Sequence, residues 1–365
     1  MAELALKKER IDWIDIAKGI GIILVVLGHL NVDGQINRLF IYCFHMPLFF
    51  FISGIVFNIK GVEFKEFLIK RIKSLYLPYV VFLSADYFIN FGITVVKKGL
   101  SLSQIKDFIV CFVENITGLN VPPIGYAMNT PIWFLCALFF SEIFFYFIIK
   151  IPKKILLFIF PIGIIGSHFI RFSMPFCISY LFPTSVFFVA GYIIKSKLNE
   201  VNELFSSESK RKKIYIFTVI LFIILLFTFR FNGMVSVQKL EYGSILLFYF
   251  NAFTGSILTM FISMIIKFNK LLIYFGKNSI IILCFHFYFT RHLFPYIIYY
   301  IGLGDFLYNP IVEILLTVIT MAIMVPIIYL SNKYLFFIFG KTRRKSGEKG
   351  GDADHSSIGG SSTEA

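Results

Sequence analysis

Lys18 and His29 both interrupt the apolar stretch DWIDIAKGIGIILVVLGHL, eleven residues apart. At 100° per residue that spacing puts them about 20° from one another on one helical face, roughly 16 Å apart along the axis. Gly21 and Gly28 lie near the same face, where a small side chain lets a second helix or a ligand come close. Histidine is the side chain best suited to take and return a proton near neutral pH, and a lysine can stabilise negative charge developing beside it. The alternative is that Lys18 snorkels to one membrane face and His29 is an interfacial polar residue.

Further polar groups sit in other apolar stretches. His45 directly precedes Met46 and Pro47 in FIYCFHMPLFFFISG. A proline there removes a backbone donor and frees a carbonyl, so a partner is expected nearby; a kinked packing helix with a satisfied histidine is the other reading. Ser53-Gly54 offers a close-packing point in the same stretch. Glu142 is the lone carboxylate of PIWFLCALFFSEIFFYF. In lipid it must be neutral, hydrogen-bonded or paired with a cation. Lys18, His29 and His45 are the partners expected on other segments, and a purely structural ion pair is the competing reading. Asp86 is a weaker case of the same kind. Asn278 and Ser279 suit the N-terminus of a helix, with His286 about two turns further in. His168 reads as a packing residue near the end of a glycine-containing stretch.

The elements that position these groups follow from composition. Of the 365 residues, 58% are hydrophobic, 15% charged and 19% aromatic, with 47 Phe. Soluble domains are less apolar and carry about 25% charged residues. An ordinary cytosolic enzyme, a disordered chain and a small secreted scaffold are therefore excluded. An all-α integral membrane protein with about ten transmembrane helices is expected, the spans running roughly 14–31, 38–59, 75–96, 130–149, 154–171, 177–194, 214–231, 243–266, 278–300 and 311–338. Lys18 and His29 argue against a cleaved signal peptide in the first of these. With the N-terminus placed in the cytoplasm, 25 Lys and Arg fall in inside segments and eight in outside ones. That bias predicts cytoplasmic N- and C-termini. It also accounts for the net charge of +14 without nucleic acid as a partner. The five cysteines, Cys43, Cys111, Cys136, Cys177 and Cys284, sit singly with no CxxC pair. They predict small buried hydrophobes rather than a metal site or a disulfide framework.

Residues 1–10 are expected to form a cytoplasmic N-terminus, 11–340 one polytopic domain and 341–365 a disordered cytoplasmic tail, because Gly, Ser and charge replace apolar residues there. Residues 60–74 carry Phe64, Phe67, Leu68 and Ile72 at helical spacing among charges, which predicts a cytoplasmic interfacial helix. Residues 97–129, with Pro122-Pro123, form the longest outside loop and are placed to cap an outward cavity. No internal repeat is found.

These motifs together resemble the acyltransferase-3 family of integral membrane acyltransferases. Lys18-x10-His29 is similar to the family's first-helix signature, FHMPLFFFISG to its second-helix motif, and Arg71 with LYLPY to the entry of its third helix. PIWFLCALFFSE resembles the fucose 4-O-acetylase-like branch that acylates polysaccharides, and GKNSIIILCFH the late helix. Lys18 is the alternative residue in the signature, and Trp133 and Glu142 stand nine apart where many relatives are tighter. No appended hydrolase-like domain is present in the sequence.

The resemblance implies transfer of an acyl group, commonly acetyl, from acyl-CoA to a sugar hydroxyl of a cell-envelope or exported glycan, with the donor on the cytoplasmic side. His29, Lys18 and Glu142 would be catalytic. His29 would deprotonate the acceptor or hold the acyl group, and Lys18 would bind anionic parts of CoA or stabilise charge. His45, Arg71, Trp133, Ser279 and His286 would bind substrate, with Glu142 and His45 orienting His29 or holding the sugar. Lys70, Arg71 and Lys73 would hold CoA phosphates, and Tyr126 and Trp133 could stack on a pyranose. No metal is implied. The partners are acyl-CoA, a glycan or lipid-linked sugar, and the bilayer. The Phe, Ile, Lys and Asn bias suggests an AT-rich bacterial genome, and so a multi-pass protein of the bacterial plasma membrane. The alternative is an exporter of polysaccharide or lipid-linked sugar, in which the same polar residues line a path and catalyse nothing. A weaker third reading is a membrane module serving an amino-acid-modifying enzyme.

Overall fold

The computed structural model describes residues 12–30, 36–119, 129–203 and 207–342. The expectations for residues 1–10, Pro122-Pro123, Tyr126 and the tail beyond residue 342 lie outside the described residues. In chain order the helices are α1 (Asp12–Leu30), α2 (Ile36–Tyr42), α3 (His45–Val56), α4 (Phe64–Arg71), α5 (Leu77–Lys98), α6 (Leu102–Ile116), α7 (Trp133–Ile148), α8 (Lys153–Leu156) and α9 (Ile159–Phe169). They continue as α10 (Ile178–Lys195), α11 (Leu198–Glu203), α12 (Glu208–Thr228), α13 (Ile245–Ile266), α14 (Lys270–Lys277), α15 (Ser279–Phe287), α16 (Phe294–Tyr300) and α17 (Pro310–Tyr334). The protein is an all-α integral membrane protein.

Among the described residues, nine helical stretches are long and apolar enough to cross a membrane: Asp12–Leu30, Asn37–Val56, Phe64–Lys98, Thr130–Ile148, Pro175–Lys195, Glu208–Phe231, Ile245–Ile266, Ser279–Tyr300 and Pro310–Tyr334. The remaining expected span, 154–171, is helical in two pieces, α8 and α9, with a turn between them. The 11 residues of α9 rise only about 16 Å, roughly half the thickness of a hydrocarbon core. Gly163 and Gly166 seat α9 on α10, where a Cβ at Gly166 would lie 2.0 Å from the Phe182 ring.

Two glycine crossings bring the central helices to backbone contact. A Cβ on Gly54 of α3 would fall 2.0 Å from the Phe188 carbonyl of α10, and one on Gly191 of α10 would fall 2.0 Å from the Phe51 carbonyl of α3. Gly19 of α1 and Gly276 of α14 repeat the arrangement, at 2.2 Å from the Leu272 carbonyl and 1.9 Å from the Asp15 carbonyl. Such reciprocal small-residue contacts replace the hydrophobic drive that lipid does not supply. They hold α1 at the centre, against α3, α13, α14, α15 and α17. Serine and threonine in the spans satisfy their hydroxyls on their own helix: Thr218, Thr259, Ser263 and Thr320 each donate to the carbonyl four residues back, at 2.7–2.8 Å.

Two local expectations are corrected. Pro47 does not kink a helix interior. The chain turns at Cys43–Phe44 between α2 and α3, so Pro47 lies in the first turn of α3, where the missing N–H is no loss. Residues 60–74 do not form a separate interfacial helix either. α4 runs through a π-helical turn, Ile72–Tyr76, into α5. Phe67 is buried, 5.8 Å from the Phe57 ring and 4.9 Å from the Tyr146 ring, with Phe64 and Leu68 half-buried and Ile72 exposed. Of the long loop at 97–129, residues Leu102–Ile116 form α6, started by a Ser101–Gln104 capping box. It leans on α5 through Phe108 and Phe112 against Tyr87 and Phe88.

Candidate active site

Three histidines meet at the far end of α1. His29 is half-buried; His45 on α3 and His286 on α15 are buried. Each sets Nδ1 against the carbonyl four residues earlier on the chain: His29 on Val25 at 2.7 Å, His45 on Ile41 at 2.8 Å, His286 on Ile282 at 2.9 Å. A carbonyl only accepts, so Nδ1 carries the proton in all three rings. The lone pair is then on Nε2. His286 Nε2 lies 3.5 Å from His29 Nδ1, and the two rings meet edge to face with centroids 5.2 Å apart. Tyr42 stands between His29 and His45, at centroid distances of 6.1 and 4.8 Å. Arg38 stacks on it from behind at 4.8 Å.

A narrow, half-open cleft of about 20 Å³ lies here, lined by His29, Tyr42, His45 and Trp133 together with Ser236, Val237 and Gln238 from the α12–α13 loop. Trp133 forms one wall and packs on Tyr180 at 5.3 Å. That wall is pinned from behind by Asp86, which accepts from the Asn129 backbone N–H at 2.5 Å and from the Tyr288 hydroxyl at 2.8 Å. The Asn129 side chain donates in turn to the Cys284 carbonyl at 2.6 Å. Asp86 therefore ties α5, the start of α7 and α15 into one frame.

A second polar centre lies near the other end of α1. Arg71 Nε and Glu142 Oε2 are 2.5 Å apart, meeting as an ion pair without the alignment of a hydrogen bond. Lys18 and Lys70 also act on the Glu142 carboxylate through space. Glu142 thus pairs with Arg71 rather than with His29 or His45, and it does not orient His29. Nine residues of α7 separate it from Trp133, about 13 Å of rise. Lys70 is exposed beside this pair, and Lys73, two residues after Arg71, is exposed as well.

The two centres are joined by α1 but not by a continuous polar track. Ile22 and Val25, between Lys18 and His29 on the same face, are each 1% exposed and belong to the apolar core. Ser279 is not brought to the histidines: it starts α15, seven residues and about two turns from His286. Beside it, Asn278 holds the N-cap position without a side-chain cap. Its Oδ1 instead accepts from Asn332 at 3.0 Å and Lys341 at 2.9 Å. His168 is exposed, its ring against Phe169 at 4.8 Å, remote in sequence and role from the cleft. Sequence reasoning missed Tyr42, Asn129, Tyr288 and the Ser236–Gln238 turn. Tyr42 was hidden by the turn at Cys43–Phe44, which breaks the helical register between it and His45. The Ser236–Gln238 turn has no periodicity that would place it.

A family model described as an acyltransferase domain matches residues 11–332. No curated protein and no solved structure matches the chain. The matched region contains both polar centres, and the chain belongs to the acyltransferase-3 family as a multi-pass membrane acyltransferase.

Proposed function

We propose that the protein moves an acyl group, acetyl in the simplest case, from acyl-CoA to a sugar hydroxyl of a cell-envelope or exported polysaccharide, in the plasma membrane of a bacterium. The observation that carries this reading is the pairing of a cation-rich centre and a histidine centre on one helix, eleven residues apart with apolar packing between them. Coenzyme A has matching parts: anionic phosphates, a long pantetheine arm of low charge and a terminal thioester. Lys70, exposed beside the Arg71–Glu142 pair, and Lys73, exposed as well, would hold the phosphates, with Lys18 inside them. The arm would displace or thread the layer of Ile22 and Val25 and deliver the thioester to the cleft.

There His29 acts through Nε2, the ring nitrogen left with a lone pair. It takes the proton of the acceptor hydroxyl as the oxygen attacks the acyl carbon. The new ester C–O bond forms, the C–S bond breaks, and the proton passes to the departing thiolate. The Nδ1 contact with Val25 keeps the ring in the tautomer this needs. An acyl-histidine intermediate would use the same nitrogen as nucleophile. His45 and His286 orient the acceptor and the His29 ring, and Trp133 gives the sugar an aromatic wall. On this reading the donor centre faces the cytoplasm and the histidine cleft faces outward.

Purified protein in lipid nanodiscs, given acetyl-labelled acetyl-CoA and a panel of sugar glycosides, tests the reading. Thiol release with label appearing in an ester supports it. Absence of both, with no CoA binding, would favour the exporter, in which these residues line a conduit.

A further inference from the structure

The loop between α12 and α13 is built with more care than a connection needs. Ser236 and Glu241 exchange backbone hydrogen bonds of 2.7 and 3.0 Å, closing a tight antiparallel turn. Within it Val237–Lys239 forms one 3-10 turn, with the Ser236 hydroxyl capping the Lys239 N–H at 3.3 Å. Leu240 follows at φ +58°, left-handed backbone that a branched residue adopts only under constraint. The constraint is burial, since Val235, Val237, Leu240 and Tyr242 are all 5% exposed or less. Asn232 closes the base of the loop, donating to the Tyr242 carbonyl at 3.1 Å and accepting from the Ser244 N–H at 2.9 Å.

This rigid loop dips inward, so that Ser236, Val237 and Gln238 line the same cleft as His29, His45 and Trp133. The Gln238 carbonyl is fixed by the Tyr180 hydroxyl at 2.7 Å. Tyr180 in turn carries the Trp133 ring. The backbone of Gln238 is therefore locked to the aromatic wall, and Gln238 is one of the residues that line the cleft.

We infer that the α12–α13 loop is the acceptor-reading element of the cleft, and that the Gln238 carboxamide is a positioning residue that hydrogen-bonds a pyranoside hydroxyl beside His29. A carboxamide both donates and accepts. It suits vicinal hydroxyls, which do the same, and a ring held against Trp133 presents such a pair at its edge. This inference rests on the acyl-transfer reading of the site. It adds to the recognition of the acceptor, for which the resemblance named His45, Arg71, Trp133, Ser279 and His286 but no residue of this loop.

The test is steady-state kinetics of the nanodisc protein with acetyl-CoA and a panel of p-nitrophenyl pyranosides, comparing wild type, Gln238→Ala, Gln238→Asn and the exposed neighbour Lys239→Ala. Gln238→Ala should raise the acceptor KM about tenfold, as expected for one lost hydrogen bond that leaves a hydroxyl unpaired, with kcat at saturating acceptor falling less than threefold. Gln238→Asn should recover part of the loss, and Lys239→Ala should behave as wild type. An unchanged acceptor KM in Gln238→Ala would overturn the inference, as would a parallel fall in kcat and in affinity for acetyl-CoA, the mark of a collapsed loop. Thiol release with no pyranoside acylated would overturn it too. No thiol release by the wild type would instead remove the acyl-transfer reading on which it stands.

Discussion

His29 and His45 of the cleft, and His286 packed behind His29, share one device, an Nδ1–H bound to a carbonyl of the preceding turn. It fixes the tautomer and leaves Nε2 for chemistry. The i, i+11 relation of Lys18 and His29 was legible because a single helix encodes it. Glu142's partner was not, because the meeting of α7 with the end of α4 depends on tertiary packing that no local period carries. Breaking one side of a buried pair leaves a charge stranded in low dielectric. Arg71→Met, which strands the buried Glu142 carboxylate, should destabilise the protein by about 3 kcal/mol, Glu142→Gln should cost less because Arg71 is partly exposed, and the double substitution should cost less than the sum of the two. Thermal unfolding in detergent of the four proteins of that cycle checks it, and strictly additive losses would show the pair to be uncoupled. Asp86→Asn should destabilise by about 1–3 kcal/mol and reduce turnover through the shifted Trp133 wall. Near-UV circular dichroism together with the transfer rate would show both effects, and a normal rate would detach the Asp86 frame from the cleft.

At the level of elements, glycine decides which helices touch. The Gly54–Gly191 crossing leaves no room for a side chain, so Gly191→Val should abolish the folded species on size-exclusion chromatography. Gly92 meets nothing within 4 Å. Its replacement by Ala should be neutral or stabilise α5 by up to about 1 kcal/mol. Pro47→Ala should change stability by less than about 1 kcal/mol, since the residue occupies a first turn; a larger loss in a melting experiment would restore the kink. The apolar runs were readable as helices from hydropathy and length. The turn at Cys43–Phe44 was not, because nothing in FIYCFHMP separates a helix start from a helix interior until its neighbours are in place. The dipping α12–α13 loop was equally hidden: left-handed Gly233 and Gly243 mark turns in it, but its inward course depends on the burial of Val235 and Tyr242.

For the whole molecule, the charge bias and the hydropathy of the sequence anticipated a multi-pass bundle, and the fold adds how its ends are used. One end of α1 gathers Lys18, Arg71, Glu142 and Lys70; the other gathers three histidines and an aromatic wall. The proposed sidedness predicts that an impermeant maleimide labels Lys239→Cys in intact cells and Lys197→Cys only after permeabilisation, both positions being exposed. Labelling of both from one side would contradict α12, the one described stretch between them long and apolar enough to span, as a crossing segment. The most direct test of the account is the rate of thiol release from acetyl-CoA by His29→Gln in lipid nanodiscs, against wild type at equal folded content. Loss of the Nε2 base should slow release by about 10²–10⁴-fold. A variant that keeps its rate within a few fold would contradict the assignment of the chemistry to His29.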